Sequence, residues 1–254
     1  MKVYFGIDGT RGFPKWWFGD PYLISAAALW RKDHFRIPRW FPKGEFFLDS
    51  GGFSFFHKEG TYPFTPDQYI SYINTVKPSL FATMDYPCEP NVNRSILKSN
   101  IERIEATVDY GVYLWKNRDK INSQPVVVIQ GYSLREYEYC YSLYQKNGVS
   151  ANYWAFGSMC RRWNDTEIRY YIRFFRRMVG KSVKIHIFGL KISSLNCEVI
   201  KLIDSIDTMA WAYGKFKREK RYTKDSFLAY RKKINSIIEK CSSPNYPLFQ
   251  HKPI

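Results

Sequence analysis

The sequence predicts an α/β protein built as a (β/α)8 TIM-type barrel, and three observations support this fold class. Eight short apolar runs follow one another, and segments with apolar residues at helical spacing separate most of them. The 254 residues suffice to bury a sizeable core in one large domain. No internal repeat, low-complexity tract or Gly/Ser-rich linker interrupts the pattern. We therefore expect a single barrel domain over residues 1–254.

The expected strands are short and apolar, as is typical of parallel strands covered by helices. They comprise 3–8, 22–25, 46–49, 80–85, 125–130, 153–157, 184–188 and 205–211. The second strand is the weakest of the eight, because residues 22–30 (YLISAAALW) are equally compatible with a buried helix.

Two of the expected helices begin at capping boxes. Thr65 and Gln68, with Pro66 at the first helical position, indicate one start, and Ser133 with Glu136 indicates another. The first of these helices has an apolar face, and the second runs through residue 144. Further helices are expected over 94–117, 165–179, 194–203 and 225–240, the first of these with Leu97, Ile101, Ile104 and Val108 on its buried stripe.

The cysteines and histidines predict neither a disulfide framework nor a metal site. The five cysteines are odd in number and scattered, and no CxxC or CxC pair occurs. The four histidines are also dispersed, so we expect no metal and no cofactor. The N-terminal residues lack a signal-peptide core, and no apolar run approaches the roughly 20 residues of a membrane span. We expect a cytoplasmic protein without a membrane partner, acting in the host cytoplasm if a phage encodes it.

The charge balance points to a polyanionic partner. The chain has 39 Lys and Arg against 23 Asp and Glu, a formal net charge of +16. Such a surface attracts nucleic acid through long-range electrostatics. The alternative is that the charge only keeps the protein soluble.

Function in a barrel of this kind lies at the carboxyl ends of the strands and in the loops that follow them. Three of the residues at these ends are carboxylates, which an apolar strand carries only at a cost unless they are bonded, paired or used. The residues at the ends are Asp49, Asp85, Gln130, Gly157, Gly189 and Asp207.

The most specific of these segments is Asp49-Ser50-Gly51-Gly52-Phe53. An acid at a strand end followed by two glycines allows a ligand to approach the backbone closely. The alternative is an aspartate that caps a tight turn. Gln130, which precedes Gly131, places at the barrel mouth an amide that can both donate to and accept from a base edge. Gly157 offers a backbone N–H there.

These segments, in this order, resemble the tRNA-guanine transglycosylase superfamily. The resemblance covers roughly residues 45–211 and also includes the segment 203–207 (IDSID). Within the superfamily the chain is most similar to the phage and bacterial DNA-guanine transglycosylases, the deoxypurine-in-DNA protein A (DpdA) group. Those proteins are short and carry a Ser-hydrophobic-Asp-Ser/Thr segment ending near a tryptophan. Here Ser205-Ile206-Asp207-Thr208 is followed by Trp211.

The resemblance implies exchange of guanine in DNA for a 7-deazaguanine, 7-cyano-7-deazaguanine (preQ0) or a relative. It implies that Asp207 is the nucleophile that attacks C1′ of the sugar and that Asp49 is the general acid/base. Asp204 leaves an ambiguity of register, and we favour Asp207 because of its Thr208 neighbour. The implied base-binding groups are Asp85 for the N1–H and amine of guanine, Gln130-Gly131 and the Gly157 backbone for the O6 edge, Phe53 for stacking, and Gly52. The resemblance also implies a homodimer, although no residue here identifies an interface.

The chain departs from the tRNA-modifying members at two places. Their CxCxxC…H zinc site and their basic Leu-Pro-Thr-Arg loop are both missing, so we expect a barrel without the zinc-binding subdomain and with no bound metal. A basic segment with interleaved aromatic residues replaces the loop and suits phosphate contacts and base stacking, although a solvated charged face is the alternative. The expected nucleic-acid contacts are Lys215, Lys217, Arg218, Lys220, Arg221, Arg161 and Arg162.

Other interpretations of the sequence stay open. The same chemistry on tRNA is the closest, and a non-catalytic nucleic-acid-binding barrel is an alternative of another class. A glycoside hydrolase would also need paired acids, although neutral sugars gain nothing from a charge of +16. His186 on the seventh strand is either a pocket residue or a satisfied core histidine. Cys160 lies in a mouth loop, but the sequence identifies no general base beside it, which argues against a thiol nucleophile.

Overall fold

Eight parallel strands close into a barrel in the computed structural model, which describes residues 1–9, 13–38, 41, 44–90, 96–212 and 223–242. The predicted (β/α)8 TIM-type fold is therefore confirmed. In chain order the strands are β1 (Lys2–Ile7), β2 (Tyr22–Ser25), β3 (Trp30–Arg31), β4 (His34–Phe35), β5 (Phe46–Asp49), β6 (Leu80–Ala82), β7 (Gln124–Ile129), β8 (Tyr153–Phe156), β9 (Lys184–Ile187) and β10 (Ser205–Thr208). Around the barrel the order is β1-β10-β9-β8-β7-β6-β5-β2, and β3 and β4 form a separate antiparallel hairpin.

The helices surround this barrel. They are α1 (Ala26–Leu29), α2 (Gly52–Glu59), α3 (Pro66–Val76), α4 (Asn100–Lys116), α5 (Leu134–Lys146), α6 (Asp165–Val179), α7 (Cys197–Leu202) and α8 (Lys224–Ser242). Both predicted capping boxes are present, at the starts of α3 and α5. Every helix in the described part of the chain is too short or too polar to cross a membrane.

Alternation of side chains along each strand separates the barrel interior from the layer under the helices. On β7, Val126 and Val128 belong to the interior cluster, whereas Val127 and Ile129 pack toward the helices. The interior cluster is Tyr4, Leu23, Phe47, Leu80, Ala82, Val126, Val128, Tyr153 and Ala155. Because these side chains fill the lower barrel, a ligand has to enter from the mouth.

Several predicted boundaries need correction. The ambiguous segment 22–30 contains both of the predicted alternatives, since β2 is followed directly by α1. The helix predicted from residue 94 begins at Asn100, because Ser99 and Glu102 form a capping box that the sequence analysis overlooked. Ile101 is exposed instead of lying on the buried stripe. The predictions also missed α2 and the β3–β4 hairpin.

A disulfide joins Cys197, at the first residue of α7, to Cys241, in the last turn of α8. The two Cα atoms are 4.8 Å apart, a spacing usual for such a bond. The scattered cysteines had indicated no disulfide, and this expectation is corrected. The two helices lie far apart in sequence but pack as neighbours in space, which spacing along the chain does not reveal.

Candidate active site

A cavity of about 230 Å³ opens among the carboxyl ends of the barrel strands. It brings together residues that are far apart in the chain, from Leu23 to Asp207. Its lining includes all three predicted strand-end carboxylates. The lining residues are Leu23, Asp49, Gly52, Phe53, Asp85, Pro87, Glu89, Gln130, Gly157, Ser158, Cys160, Phe188, Gly189 and Asp207.

Strand alternation explains why three of these polar side chains face inward. Asp49 lies two residues beyond the interior residue Phe47 on β5. Gln130 likewise lies two residues beyond Val128, and Asp207 lies two residues beyond the buried Ser205. A period of two therefore carries each side chain into the top of the barrel interior.

Asp49 is held in an environment that favours its protonated form. Its Oδ2 accepts a hydrogen bond from the Gly51 N–H at 3.1 Å. Burial, together with the nearby charges of Asp85 and Asp207, outweighs this bond and raises the pKa of Asp49 to about 7. A carboxyl with such a pKa can both release and accept a proton near neutral pH.

Asp85 is buried and held at both carboxylate oxygens. Ser50 Oγ donates to Oδ1 at 2.7 Å, and Gln130 Nε2 donates to Oδ2 at 2.5 Å. Burial raises the pKa of Asp85 to about 6, while these two hydrogen bonds act against the increase. The Tyr62 hydroxyl fixes the backbone of Asp85, since it accepts from the N–H and donates to the carbonyl, both at 3.0 Å.

The amide of Gln130 connects two sides of the cavity. Its nitrogen donates to Asp85, and its oxygen lies 2.7 Å from Ser158 Oγ, which donates to it. Gly157 makes this arrangement possible, because a Cβ there would lie 2.2 Å from Gln130 Nε2. The expectation of a bare Gly157 N–H is corrected, since that group donates to the Ile129 carbonyl at 3.1 Å in the strand pairing.

Asp207 receives two hydrogen bonds at one carboxylate oxygen. The Gly189 N–H donates to Oδ1 at 2.7 Å, and His186 Nε2 lies 3.3 Å from the same atom. No donor in the described part of the chain reaches Oδ2, which leaves that oxygen available toward the cavity.

The neighbouring Asp204 lies at the other end of β10. Its Oδ2 accepts from Arg176 Nη2 at 3.0 Å and from the Ile185 N–H at 2.8 Å. Asp204 thus ties β10 to α6 and β9 at the base of the barrel, and it does not line the cavity. Of the two registers that the sequence allowed, the fold places Asp207 beside the other carboxylates.

The glycines near the site allow neighbouring parts of the protein to pack closely, because a Cβ would not fit. A Cβ at Gly52 would lie 2.3 Å from the Asp85 carbonyl oxygen, so this glycine lets α2 approach Asp85 closely. At Gly131 a Cβ would lie 2.7 Å from the Tyr137 nitrogen, because the residue packs against α5. Gly131 does not line the cavity, which corrects its predicted place among the base-binding residues.

Aromatic and basic side chains lie at the mouth. Phe53 is 37 % exposed, and the Arg161 guanidinium lies 4.9 Å from its ring centroid. The loop after β8 also presents Trp163, which is 74 % exposed, with Lys191 Nζ 3.8 Å from its ring. These groups combine positive charge with stacking surface, as nucleic-acid-binding proteins do.

Arg162 does not share this role. It is 3 % exposed, its guanidinium lies 3.9 Å from the Tyr171 ring, and it donates to Glu167. Its place among the predicted nucleic-acid contacts is therefore corrected, because neighbouring side chains already enclose it. The other predicted basic residues, Lys215, Lys217, Arg218, Lys220 and Arg221, lie outside the described residues.

Of two further residues of this site, the sequence left one undecided and gave no prediction for the other. His186, left open between pocket and core, is fully buried and also contacts Asp207. Glu89 was not considered, although it is 2 % exposed and lines the cavity. The sequence feature that could have identified Glu89 is an acidic residue shortly after the end of β6.

Cys160 also lines the cavity, where burial and then the charge of Glu89 raise the pKa of its thiol to about 12. Such a pKa disfavours a thiolate nucleophile.

Within the described ranges, no cluster of three or more His, Cys, Asp or Glu side chains could hold a metal ion. A family model described as DeoxyPurine in DNA protein A (DpdA) matches residues 12–223, well over half of the chain. No individual protein of curated function matches the chain significantly.

Proposed function

The chain belongs to the DpdA family, and from this premise we propose that it exchanges guanine in DNA for a 7-deazaguanine, preQ0 or a close relative. Family membership supports a transglycosylase enzyme with DNA as its substrate. The observation that carries the finer proposal is the convergence of Asp49, Asp85 and Asp207 on one cavity at the barrel mouth. Two carboxylates that divide nucleophilic and acid/base roles can perform double displacement at an anomeric carbon.

In the first half-reaction the Asp207 carboxylate attacks C1′ of the deoxyribose. An ester bond forms between Asp207 and C1′, the C1′–N9 bond breaks, and its electron pair goes to N9 of guanine. The bonds from Gly189 and His186 to Oδ1 hold the carboxylate while Oδ2 remains available for attack. The covalent ester then retains the sugar while one base leaves and another enters.

Asp49 handles the proton in both half-reactions. With a pKa of about 7 it carries a proton in a substantial fraction of molecules near neutral pH. It donates this proton to the departing guanine and recovers one from N9–H of the incoming base. N9 of that base then attacks C1′, and the ester bond breaks to regenerate the Asp207 carboxylate.

Asp85 and Gln130 recognise the base through a rearrangement of their own hydrogen bond. The bond between Gln130 Nε2 and Asp85 Oδ2 occupies both groups in the absence of a base. Guanine offers Asp85 two donors, the N1–H and the amine, which can replace the amide. Gln130 Nε2 is then free to donate to O6. Adenine lacks this set of groups, so the same rearrangement would leave a buried polar group unpaired.

The DNA backbone is proposed to lie across the mouth. Arg161, Trp163 and Lys191 come from the loops after β8 and β9, which border the cavity at Cys160 and Gly189. The basic segment 215–222 remains a predicted second contact. Phe53 beside Arg161 is proposed to contact the extruded base at the entrance.

The test is mass spectrometry of nucleosides from DNA and tRNA of cells that express the chain and make 7-deazaguanines. A 7-deazaguanine nucleoside should be found in DNA, and cells expressing Asp207→Asn at equal level should lack it. Modification in tRNA alone would support the tRNA alternative, and no modification in either nucleic acid would contradict the proposal. Purified protein with labelled guanine and duplex or single-stranded DNA tests the base exchange itself without the cell.

A further inference from the structure

Glu89 is a buried carboxylate in the cavity for which the proposed exchange has no use. It lies beyond β6, four residues after Asp85, and is only 2 % exposed. Its Oε2 is 3.1 Å from Ser158 Oγ, and its Oε1 is 3.7 Å from Cys160 Sγ. A thiol is a weak donor, so among the described residues the Ser158 hydroxyl is the only strong hydrogen-bond donor beside Glu89.

The Ser158 hydroxyl has a single proton, and it donates this proton to Gln130 in preference to Glu89. Gln130 Oε1 is nearer to Ser158 Oγ, at 2.7 Å, and it must accept because the amide nitrogen is committed to Asp85. Ser158 Oγ itself accepts from the Cys88 N–H at 2.9 Å. Glu89 therefore faces an oxygen whose proton points elsewhere.

No lysine, arginine or backbone N–H of the described residues bonds Glu89. Asp85 and Asp207, by contrast, each accept two hydrogen bonds from protein donors. A buried carboxylate whose donors are a weak thiol and a hydroxyl shared with Gln130 is unfavourable. Since Glu89 lines the cavity, the missing donors can come from whatever the cavity binds.

The order of the groups shows which part of a base would supply them. Hydrogen bonds link Asp85 to Gln130, and Gln130 to Ser158, beside which Glu89 lies. The edge of a 7-deazaguanine presents its amine and N1–H, then O6, and then the substituent at position 7. With Asp85 at the amine and Gln130 at O6, as the proposed function has it, the substituent is directed toward Ser158 and Glu89.

We propose that Glu89 and Ser158 form a subsite for the position-7 substituent of the incoming base and that this subsite takes a substituent carrying N–H donors. An aminomethyl group, which is cationic, or an amidine or carboxamide group meets this requirement. A nitrile has only an acceptor, which a carboxylate cannot pair with. Of the bases that the proposed function allows, the subsite thus favours a donor-bearing relative of preQ0 over preQ0 itself, which is the 7-cyano base. This inference depends on the proposed function for the orientation of the base.

The experiment compares 7-aminomethyl-7-deazaguanine with 7-cyano-7-deazaguanine as incoming bases for the full chain. Competition for exchange into guanine-containing DNA gives the ratio of the two kcat/KM values, and calorimetry gives the ratio of the Kd values of the free bases. Both ratios should favour the aminomethyl base by about tenfold or more, as a charge-assisted hydrogen bond provides. Glu89→Gln, which keeps the shape and removes the charge, should reduce both ratios by about tenfold.

Glu138→Gln is the matched control, because Glu138 is exposed on α5, and it should leave the ratios unchanged. A wild-type ratio near one or in favour of the nitrile would overturn the subsite, as would a ratio that Glu89→Gln does not alter. Labelled guanine separates this failure from that of the proposed function. If wild-type protein incorporates labelled guanine without discriminating the two bases, only the subsite is wrong. If it incorporates no base at all, the proposed function fails, and the Kd ratio still tests the subsite.

Discussion

His186 Nε2 lies 3.3 Å from Asp207 Oδ1, and the ring is completely buried. An ionised carboxylate can only accept, so this geometry assigns the proton of the imidazole to Nε2. Nδ1 then accepts from Ser205 Oγ at 2.7 Å, and the Ser205 hydroxyl accepts from Tyr153, whose hydroxyl is 2.6 Å away. A chain of hydrogen bonds thus runs from the barrel interior to the proposed nucleophile.

His186 is expected to orient Asp207. His186→Phe, which keeps the ring size and removes the donor, should lower the rate of covalent adduct formation by roughly 10- to 100-fold, the effect of one hydrogen bond to a charged group. The Kd for DNA should stay nearly the same. Single-turnover kinetics and a binding isotherm measure the two quantities separately. Tyr153→Phe, at the far end of this chain of hydrogen bonds, should lower the rate less. Equal losses of rate and of DNA affinity in His186→Phe would point to a purely structural histidine.

Asp207 and not Asp204 is expected to form the covalent intermediate. Denaturing electrophoresis of the protein with guanine-containing DNA should show a shifted band for the wild type and for Asp204→Asn. Asp207→Ala should bind DNA but give no such band, because the attacking carboxylate is missing. A band that persists in Asp207→Ala and is lost in Asp204→Asn would reverse the assignment, and bands in both variants would direct attention to Asp49.

The exchange rate is expected to depend on pH through Asp49 and Asp85 together. Asp85 must be ionised to accept from guanine, so kcat/KM should fall below about pH 6. Asp49 must be protonated to assist the departing base, so kcat/KM should also fall above about pH 7.

Asp49→Asn should reduce turnover by about 10²–10⁴-fold. Asp85→Asn should cost well over tenfold and remove the acidic limb, and an unchanged profile in that variant would make Asp85 a loop-fixing residue.

The raised pKa of Asp49 also predicts a gain in stability for a variant that cannot ionise. Because the folded-state pKa of about 7 exceeds the ordinary 3.8, the folded protein binds more protons than the unfolded chain between these values. The contribution of Asp49 to stability is therefore full below about pH 4 and is lost as the pH rises through 7. Asp49→Asn should be more stable than wild type at pH 8, by roughly 1–3 kcal/mol, and less so at pH 5. Urea unfolding at the two pH values measures this, with the exposed Asp119→Asn as the control.

The mouth of the barrel is expected to hold the DNA backbone. Replacing Arg161 and Lys191 together by Ala should weaken DNA binding and reduce the slope of log K against log salt by roughly one unit for each phosphate that the protein no longer neutralises. The control replaces Arg177 and Lys201, which are exposed in the last turns of α6 and α7, at the end of the barrel opposite the mouth. It removes the same charge and should change the slope little. The triple replacement of Lys217, Arg218 and Arg221 tests the predicted basic segment in the same way. Equal slopes for the mouth variant and its control would exclude this face as the binding surface.

Local patterns in the amino-acid sequence suffice to predict the barrel and the four polar side chains that dominate its mouth. Short apolar runs predict the strands, and function lies at the carboxyl ends of parallel strands. Both patterns act over a few residues, so Asp49, Asp85, Gln130 and Asp207 could be found from the sequence. Which groups are already engaged depends instead on the tertiary structure. The Gly157 N–H is used in strand pairing, Arg162 is enclosed by aromatic rings, and Asp204 bonds Arg176 at the base of the barrel. The roles of His186 and Glu89 depend likewise on partners 21 and 69 residues away. Whether a polar group is free, paired or buried follows from such long-range contacts, and no local pattern of residues contains them.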